Sequence, residues 1–585
     1  MQGVSFLIDF VFLLLVLFAT AITLNGWGRI SLHLLGLTAS TTSGTLTVWF
    51  GFAVILASLE IFHLFMPVDW RLTAFIFSVG VAGECNQVRK RFKDFVDKAR
   101  RNLQQNPLIY LSCIGLAFYF CLRAMQLPIM YDSGLYHFAS IRWLNEEPIV
   151  PGLGNLHWRL ALNQSYFGFL ALLNIAPYWN KGYAAGGLFL VLLTSASLWE
   201  FGLRSRSTWR NVVVIILTLY LCQIAGSISN PSPDIAISLL QIVVFLFLLK
   251  LFDRNTYHEE DDHIRNIAVV LLLCFSIVTI KLSGLAFAAG CIFVALLHDF
   301  SVQRTFSFRM VKLLVLITLF ACVHLGRGFL LSGAPLFPST IGGAWFLQWA
   351  LPPAIVEFES DLIYAWARQP GIGSLADLNL LGNWFSTWSD RLPFFWKIQL
   401  LSASLLTVAN FYYLNALGSC KFNHGLHLIY IPIFAAYAFW FLTAPDIRFL
   451  GAINIIYLTL SAAISTQIGI KKLPSLTNLL GRIAEEPFKF YFRIFGVSLF
   501  CIILFRWIFI QPISLTGWPE LPAVETHLVK TDFGLSVFKP DVGSQCWNAP
   551  IPCASVVYGS LRKVPWTLPF QIRSLIDSRY SLILK

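Results

Sequence analysis

Residues 234–252, DIAISLLQIVVFLFLLKLF, form an apolar run with ionisable groups only near its two ends. At 1.5 Å per residue, such a run crosses the roughly 30 Å hydrocarbon core of a bilayer as a helix. In lipid the backbone polar groups must bond within the segment, which makes the run a helix and not an open strand. Runs of roughly 17–22 apolar residues recur along the chain, each long enough to span. The composition agrees: 57% of the 585 residues are hydrophobic and 12% are charged, against about 25% charged in a soluble domain. The alternating ten-residue pattern of a membrane β-barrel is absent. The expected fold is an all-α polytopic membrane protein of about 13 transmembrane helices, with interfacial amphipathic helices in its external loops.

The remaining segments set the expected topology. The start of the chain lacks a basic leader and carries Asp9 inside its apolar stretch, so 5–24 reads as a retained first span. The net charge of +12 sits in short loops between spans, as the positive-inside rule expects, and not in a basic, aromatic-rich face suited to nucleic acid. The loop 86–107 holds Arg89, Lys90, Arg91, Lys93, Lys98, Arg100 and Arg101 and is placed in the cytoplasm. Counting from it puts the loops 127–182 and 332–396 outside. Within the first of these, the 166–179 run is too short to span and is expected to dip into the outer interface. The expected domains are a membrane domain, 1–513, ending in a span at 494–513, and a small extracytoplasmic C-terminal cap, 514–585.

Polar residues cluster on the expected outer side. Asp132 follows a span, lies between Tyr131 and Tyr136, and suits either a general base or a helix N-cap. His137 is placed to orient it. Asn155, His157 and Arg159 follow a Pro-Gly-Leu-Gly turn and suit recognition of hydroxyl or phosphate groups. Asp234, Lys281, Arg327, Asp446 and Arg448 fall at the outer ends of spans, where ionisable groups usually face a cavity. Three cations there would hold a lipid phosphate; snorkelling to bulk headgroups is the alternative. The 332–396 loop is rich in Trp and carries Glu357, Glu359 and Asp361, a composition able to close over a substrate. The segment 253–265 reads as a solvated cytoplasmic loop. Cys546 and Cys553 would bridge in an oxidising compartment, with two free thiols or a metal site as alternatives. No phosphate loop, dinucleotide fingerprint, nucleophile elbow or HExxH motif is present, so an ATP-driven pump or zinc protease is not expected.

An external loop with Asp132 after an early span, followed by membrane-surface helices, resembles the GT-C superfamily of integral-membrane glycosyltransferases. The stretches YDSGLYH (131–137), VPGLGNLHWR (150–159), SGAPLFPST (332–340), APDIRF (444–449) and QCWNAPIPC (545–553) resemble a family of bacterial polytopic membrane proteins associated with surface-polysaccharide assembly. The chain carries a single Asp132 where GT-C enzymes have a paired acidic motif, and its loop follows the fourth span instead of the first. The resemblance implies a glycosyltransferase at the outer face of a bacterial inner membrane. It would move a sugar from a polyprenyl-phosphate donor to a glycan or lipid acceptor, with Asp132 and His137 catalytic. Asn155, His157, Arg159, Asp234, Lys281, Arg327, Asp446 and Arg448 would bind substrate. A divalent cation, Mg2+ or Mn2+, is the one cofactor such enzymes suggest. The alternatives are a lipid-linked glycan transporter or flippase, and a polysaccharide ligase or polymerase.

Overall fold

The computed structural model describes residues 2–37, 44–84, 107–203, 208–253, 260–303, 307–380, 382–416, 426–472, 518–565 and 580–583, together with Asp97, Arg100 and Gln104. The expected span at 494–513 and nearly all of the basic loop 86–107 lie outside the described residues. The chain is a multi-pass helical membrane protein. Among the described residues, ten helices are long and apolar enough to cross a bilayer.

The apolar run at 234–252 forms helix α9 (Pro233–Leu251). Every residue of it except Asp234 is buried, so it faces protein on all sides and forms the hub of the bundle. Its all-round apolarity is what a helix without a lipid or water face requires. Helix α10 (Glu260–Ile280) packs beside it, with α7 (Gly182–Leu203) on another flank. Helix α16 (Phe394–Ala416) packs on α19 (Ile453–Lys472) and exposes Leu401, Leu405 and Val408 by 60–69%. An apolar surface of that kind belongs in lipid.

Helix α1 (Gln2–Leu34) packs against both α2 (Gly44–Phe62) and α3 (Trp70–Glu84). The contact is made through glycines: a Cβ on Gly51 would overlap the Leu24 carbonyl oxygen. Lipid supplies no hydrophobic drive between helices, so close backbone approach at small residues takes its place. The short 166–179 run is buried in its first part and exposed at Tyr178. It contains a helix, α6 (Tyr166–Leu173), whose residues are all buried, packed between α2 and α7.

The segment 253–265 differs from a solvated loop in the part described. Asp253 pairs with Arg210, Arg265 is 1% exposed and pairs with Asp262, and His263 lies 3.3 Å from the buried Asp299. These pairs brace one end of the bundle. Residues 518–583 add two antiparallel two-stranded ribbons, β1 (Thr526–Lys530) with β2 (Ser536–Pro540), and β3 (Arg562–Pro565) with β4 (Tyr580–Ile583).

Replacing Gly51 by Val should force α1 and α2 apart. We expect a loss of about 1–3 kcal/mol, seen as a lower thermal midpoint in detergent, whereas Gly44→Ala, where a Cβ meets open space, should leave the midpoint unchanged.

Candidate functional site

Four connections at one end of the bundle bring distant residues together. The turn Ser229–Asp234 precedes α9. In it, Asn230 Oδ1 accepts from the backbone N–H groups of Ile129 and Met130 at 2.8 and 2.9 Å, which fixes the chain just before Asp132. Ser232 Oγ caps α9 by accepting from Asp234 N. Lys281 follows α10, where Thr279 accepts from Ser165 N at 3.0 Å. Asp446 caps the short helix α18 (Ile447–Leu450), accepting from Arg448 N at 2.9 Å. Gln241, two turns down α9 from Asp234, accepts from Ala452 N at 2.7 Å. One central helix therefore positions both Asp234 and the turn that carries Arg448.

The side chains form a continuous ionic web. Asp132 lies between two guanidiniums: Arg159 Nη1 is 3.1 Å from Oδ1, and Arg448 Nη1 is 3.7 Å from Oδ2. Arg159 also reaches Glu359 at 3.2 Å, and Arg448 pairs with Asp446 at 3.1 Å. Lys281 pairs with Asp234. The Phe449 ring joins the two halves, with Lys281 Nζ 4.2 Å and the Arg448 guanidinium 5.6 Å from its centroid. Three cations thus face four carboxylates. The Asp132 side chain is 27% exposed and that of Arg448 41%, so the protein encloses neither. Asp132 precedes a single wide turn (Ser133–His137), in which Phe138 N–H donates to Ser133 O, and makes no side-chain cap hydrogen bond. Its carboxylate is committed to the arginines, which sets aside the N-cap reading. Such wide turns are frequent at functional sites.

Glu359 lies on helix α13 (Pro353–Arg368), in the Trp-rich segment, and its side chain is 2% exposed. Burial raises its pKa, and the Arg159 pairing opposes that rise. Trp158 Nε1 donates to it at 2.7 Å. The acidic residues of this loop were visible in the sequence. Which of them turns inward depends on the amphipathic phase of α13 against Trp158 and Arg159.

Four expected site residues lie outside this web. Arg327 does not join Lys281 and Arg448. It is buried on α12 (Phe308–Ser332), 3.0 Å from His63 Nδ1 and 3.2 Å from Asn163 Oδ1. His324, on the same helix, bonds Glu60 at 2.8 Å. Arg327, His63 and Asn163 border a separate small cavity of about 40 Å³. His137 does not orient Asp132. The wide turn aims it into the core, 2% exposed, with its ring 4.4 Å from Tyr136 and 5.4 Å from Phe167. Burial, then the charges of Lys281, Arg159 and Arg448, push its pKa down to about 3. Asn155 is buried and donates to the carbonyls of Gly152 and Trp349, which holds the 150–159 turn. His157 accepts from Arg159 N at 3.2 Å and stacks on Trp158 at 5.0 Å. Burial, then Arg159, push its pKa down to about 4. Both imidazoles are neutral at pH 7. Among the described residues, no three His, Cys, Asp or Glu form a group suited to a metal ion.

A disulfide joins Cys546 to Cys553, and the loop it closes covers the Asp132 turn. Trp547 N donates to Gly134 O at 2.9 Å, Gln545 Nε2 to Tyr131 O at 2.7 Å, and Arg142 Nη1 to Asn548 O at 2.7 Å. A Cβ on Gly134 would collide with the Trp547 indole, so only glycine admits this contact. On its other side the loop bonds β2, through Phe538 N to Pro552 O and Ala554 N to Phe538 O.

The chain belongs to a family described as a domain of unknown function (DUF8201), whose model matches residues 10–455. No curated protein and no solved structure matches it.

Two outcomes follow from this geometry. Unfolded imidazoles take up protons near pH 6.5 that His157 and His137 refuse until about 4 and about 3. Stability should therefore fall as pH drops below 6.5, flattening near those folded values. The thermal midpoint in detergent reads this, and His157→Gln should make the decline shallower. Separately, Cys546→Ser with Cys553→Ser should cost about 2–3 kcal/mol and open 541–560 to limited proteolysis, with the helical circular dichroism unchanged.

Proposed function

We propose that this protein is a glycosyltransferase of the GT-C type, taking sugar from a polyprenyl-phosphate donor at the outer face of a bacterial inner membrane. In this reading about 13 helices span the bilayer, and the end holding Asp132 faces the extracytoplasmic side. The basic segments then fall in the cytoplasm, and the disulfide falls in an oxidising compartment. The observation that carries the reading is the partly exposed Asp132 carboxylate held between Arg159 and Arg448, beside the Lys281–Asp234 pair.

A guanidinium recognises a phosphate with the same forked geometry that it offers a carboxylate. The donor phosphate would take the place of Asp132 at Arg448, with Lys281 adding charge from across Phe449. Arg159 keeps its hold on Asp132 and Glu359. Released from one partner, the Asp132 carboxylate accepts the proton of the acceptor hydroxyl as its oxygen attacks the anomeric carbon. The bond from that carbon to the phosphate oxygen breaks, and polyprenyl phosphate leaves as an anion stabilised by the cations. Neither the neutral His137 nor Arg327 enters a step.

With purified protein and a polyprenyl-phosphate-linked sugar, Asp132→Asn should lower transfer about 10²–10⁴-fold while leaving the thermal midpoint nearly intact. Transfer at the wild-type rate would remove Asp132 from the chemistry.

A further inference from the structure

A second opening, of about 400 Å³, lies beside the Asp132 turn and takes no part in the ionic web. Helix α5 (Phe138–Glu146) leads to it from the wide turn. Arg142, on its wall, is ten residues beyond Asp132, on the order of 15 Å along a helix axis. The connector between α2 and α3, the 174–180 segment and the C-terminal segment enclose the remaining sides. Its volume is within the usual range of small-molecule sites, roughly 300–1,000 Å³.

The lining chemistry narrows the occupant. Four carboxamides, Asn145, Asn174, Asn180 and Asn548, contribute to the wall, and each such group both donates and accepts. Asn145 and Asn174 are bonded to one another at 2.9 Å and to backbone groups, which makes a rigid floor. Asn180 is exposed, and its carboxamide has no protein partner among the described residues. The two wall carboxylates are already neutralised, Asp69 by Arg71 at 2.7 Å and Glu146 by Arg142 at 2.5 Å. Trp70 is 44% exposed at the rim; its backbone N–H donates to Ala176 O, and its ring meets Tyr178 edge-on at 6.2 Å. An anion would find no unpaired cation in this wall, and a lipid chain would leave the Asn180 carboxamide unsatisfied. A neutral polyhydroxylated ligand suits mixed donors and acceptors beside an aromatic platform.

We propose that this groove binds a neutral saccharide, the distal part of a glycan acceptor whose reacting hydroxyl lies at Asp132. The acceptor role rests on the transferase reading; the saccharide site rests on the groove alone.

The test is equilibrium binding of purified protein in nanodiscs to an array of neutral oligosaccharides, with short peptides as the control ligands. Wild type and Asp132→Asn should bind the same oligosaccharides. Trp70→Ala and Asn180→Trp, the latter filling the groove, should weaken binding at least tenfold with thermal midpoints unchanged. In the transfer assay both groove variants should raise KM for the acceptor and leave KM for the donor alone. Absence of oligosaccharide binding, binding of peptides instead, or equal binding by the groove variants would overturn the site. Oligosaccharide binding lost in the groove variants, but with no transfer by wild type, would support the site and contradict only the transferase reading.

Discussion

The arrangement at the candidate site depends on one carboxylate with two guanidiniums. Asp132 draws Arg159 from the 150–159 turn and Arg448 from the turn before α19. Through Glu359 the same web fixes α13, and through Phe449 it reaches Lys281 and Asp234. Segments more than three hundred residues apart in sequence meet at a single acidic side chain. The charges balance to one excess carboxylate, the condition under which several ionised groups can lie close together at a membrane surface. In the proposed reading an anion entering there would not meet a bare cationic pocket: it would exchange with an existing carboxylate, which would favour ligands that offer the same forked acceptor.

The scaffold around this web is built to hold it still. α9 is buried nearly throughout and carries Asp234 at its first turn, with Gln241 two turns below gripping Ala452 N. Asn230 fixes the approach to Asp132 from beneath, and the disulfide-closed loop presses on it from above through Trp547 and Gln545. Rigid support on both sides of this partly exposed carboxylate is the preorganisation that the proposed chemistry would need.

Much of this was legible in the sequence, and the failures share a cause. Asp132, Asp234, Lys281, Asp446 and Arg448 stood out because each ionisable group directly borders an apolar run, where its burial must serve a purpose. Arg327 carries the same one-dimensional signature, yet its companions His63 and Asn163 lie on segments that pack elsewhere, and partner choice is a property of helix packing that residue type does not encode. The sequence distance of His137 from Asp132 suggests a pairing, and the wide turn rotates it into the core instead. The 166–173 helix is buried throughout, packed by α2, α5 and α7, so neither span length nor a polar face announces it in the sequence. Glu359 lay in a segment recognised as acidic and aromatic, and its contact with Arg159 was fixed only by the phase of α13.

The most direct measurement is the affinity of the purified protein for polyprenyl phosphate in the Asp132→Asn and Arg448→Met variants. If the carboxylate and the phosphate compete for the same guanidinium, Asp132→Asn should bind polyprenyl phosphate more tightly than wild type, by about tenfold for a pair worth roughly 1.4 kcal/mol, while Arg448→Met binds it more weakly. Weaker or unchanged binding by Asp132→Asn would contradict the exchange at the centre of this account.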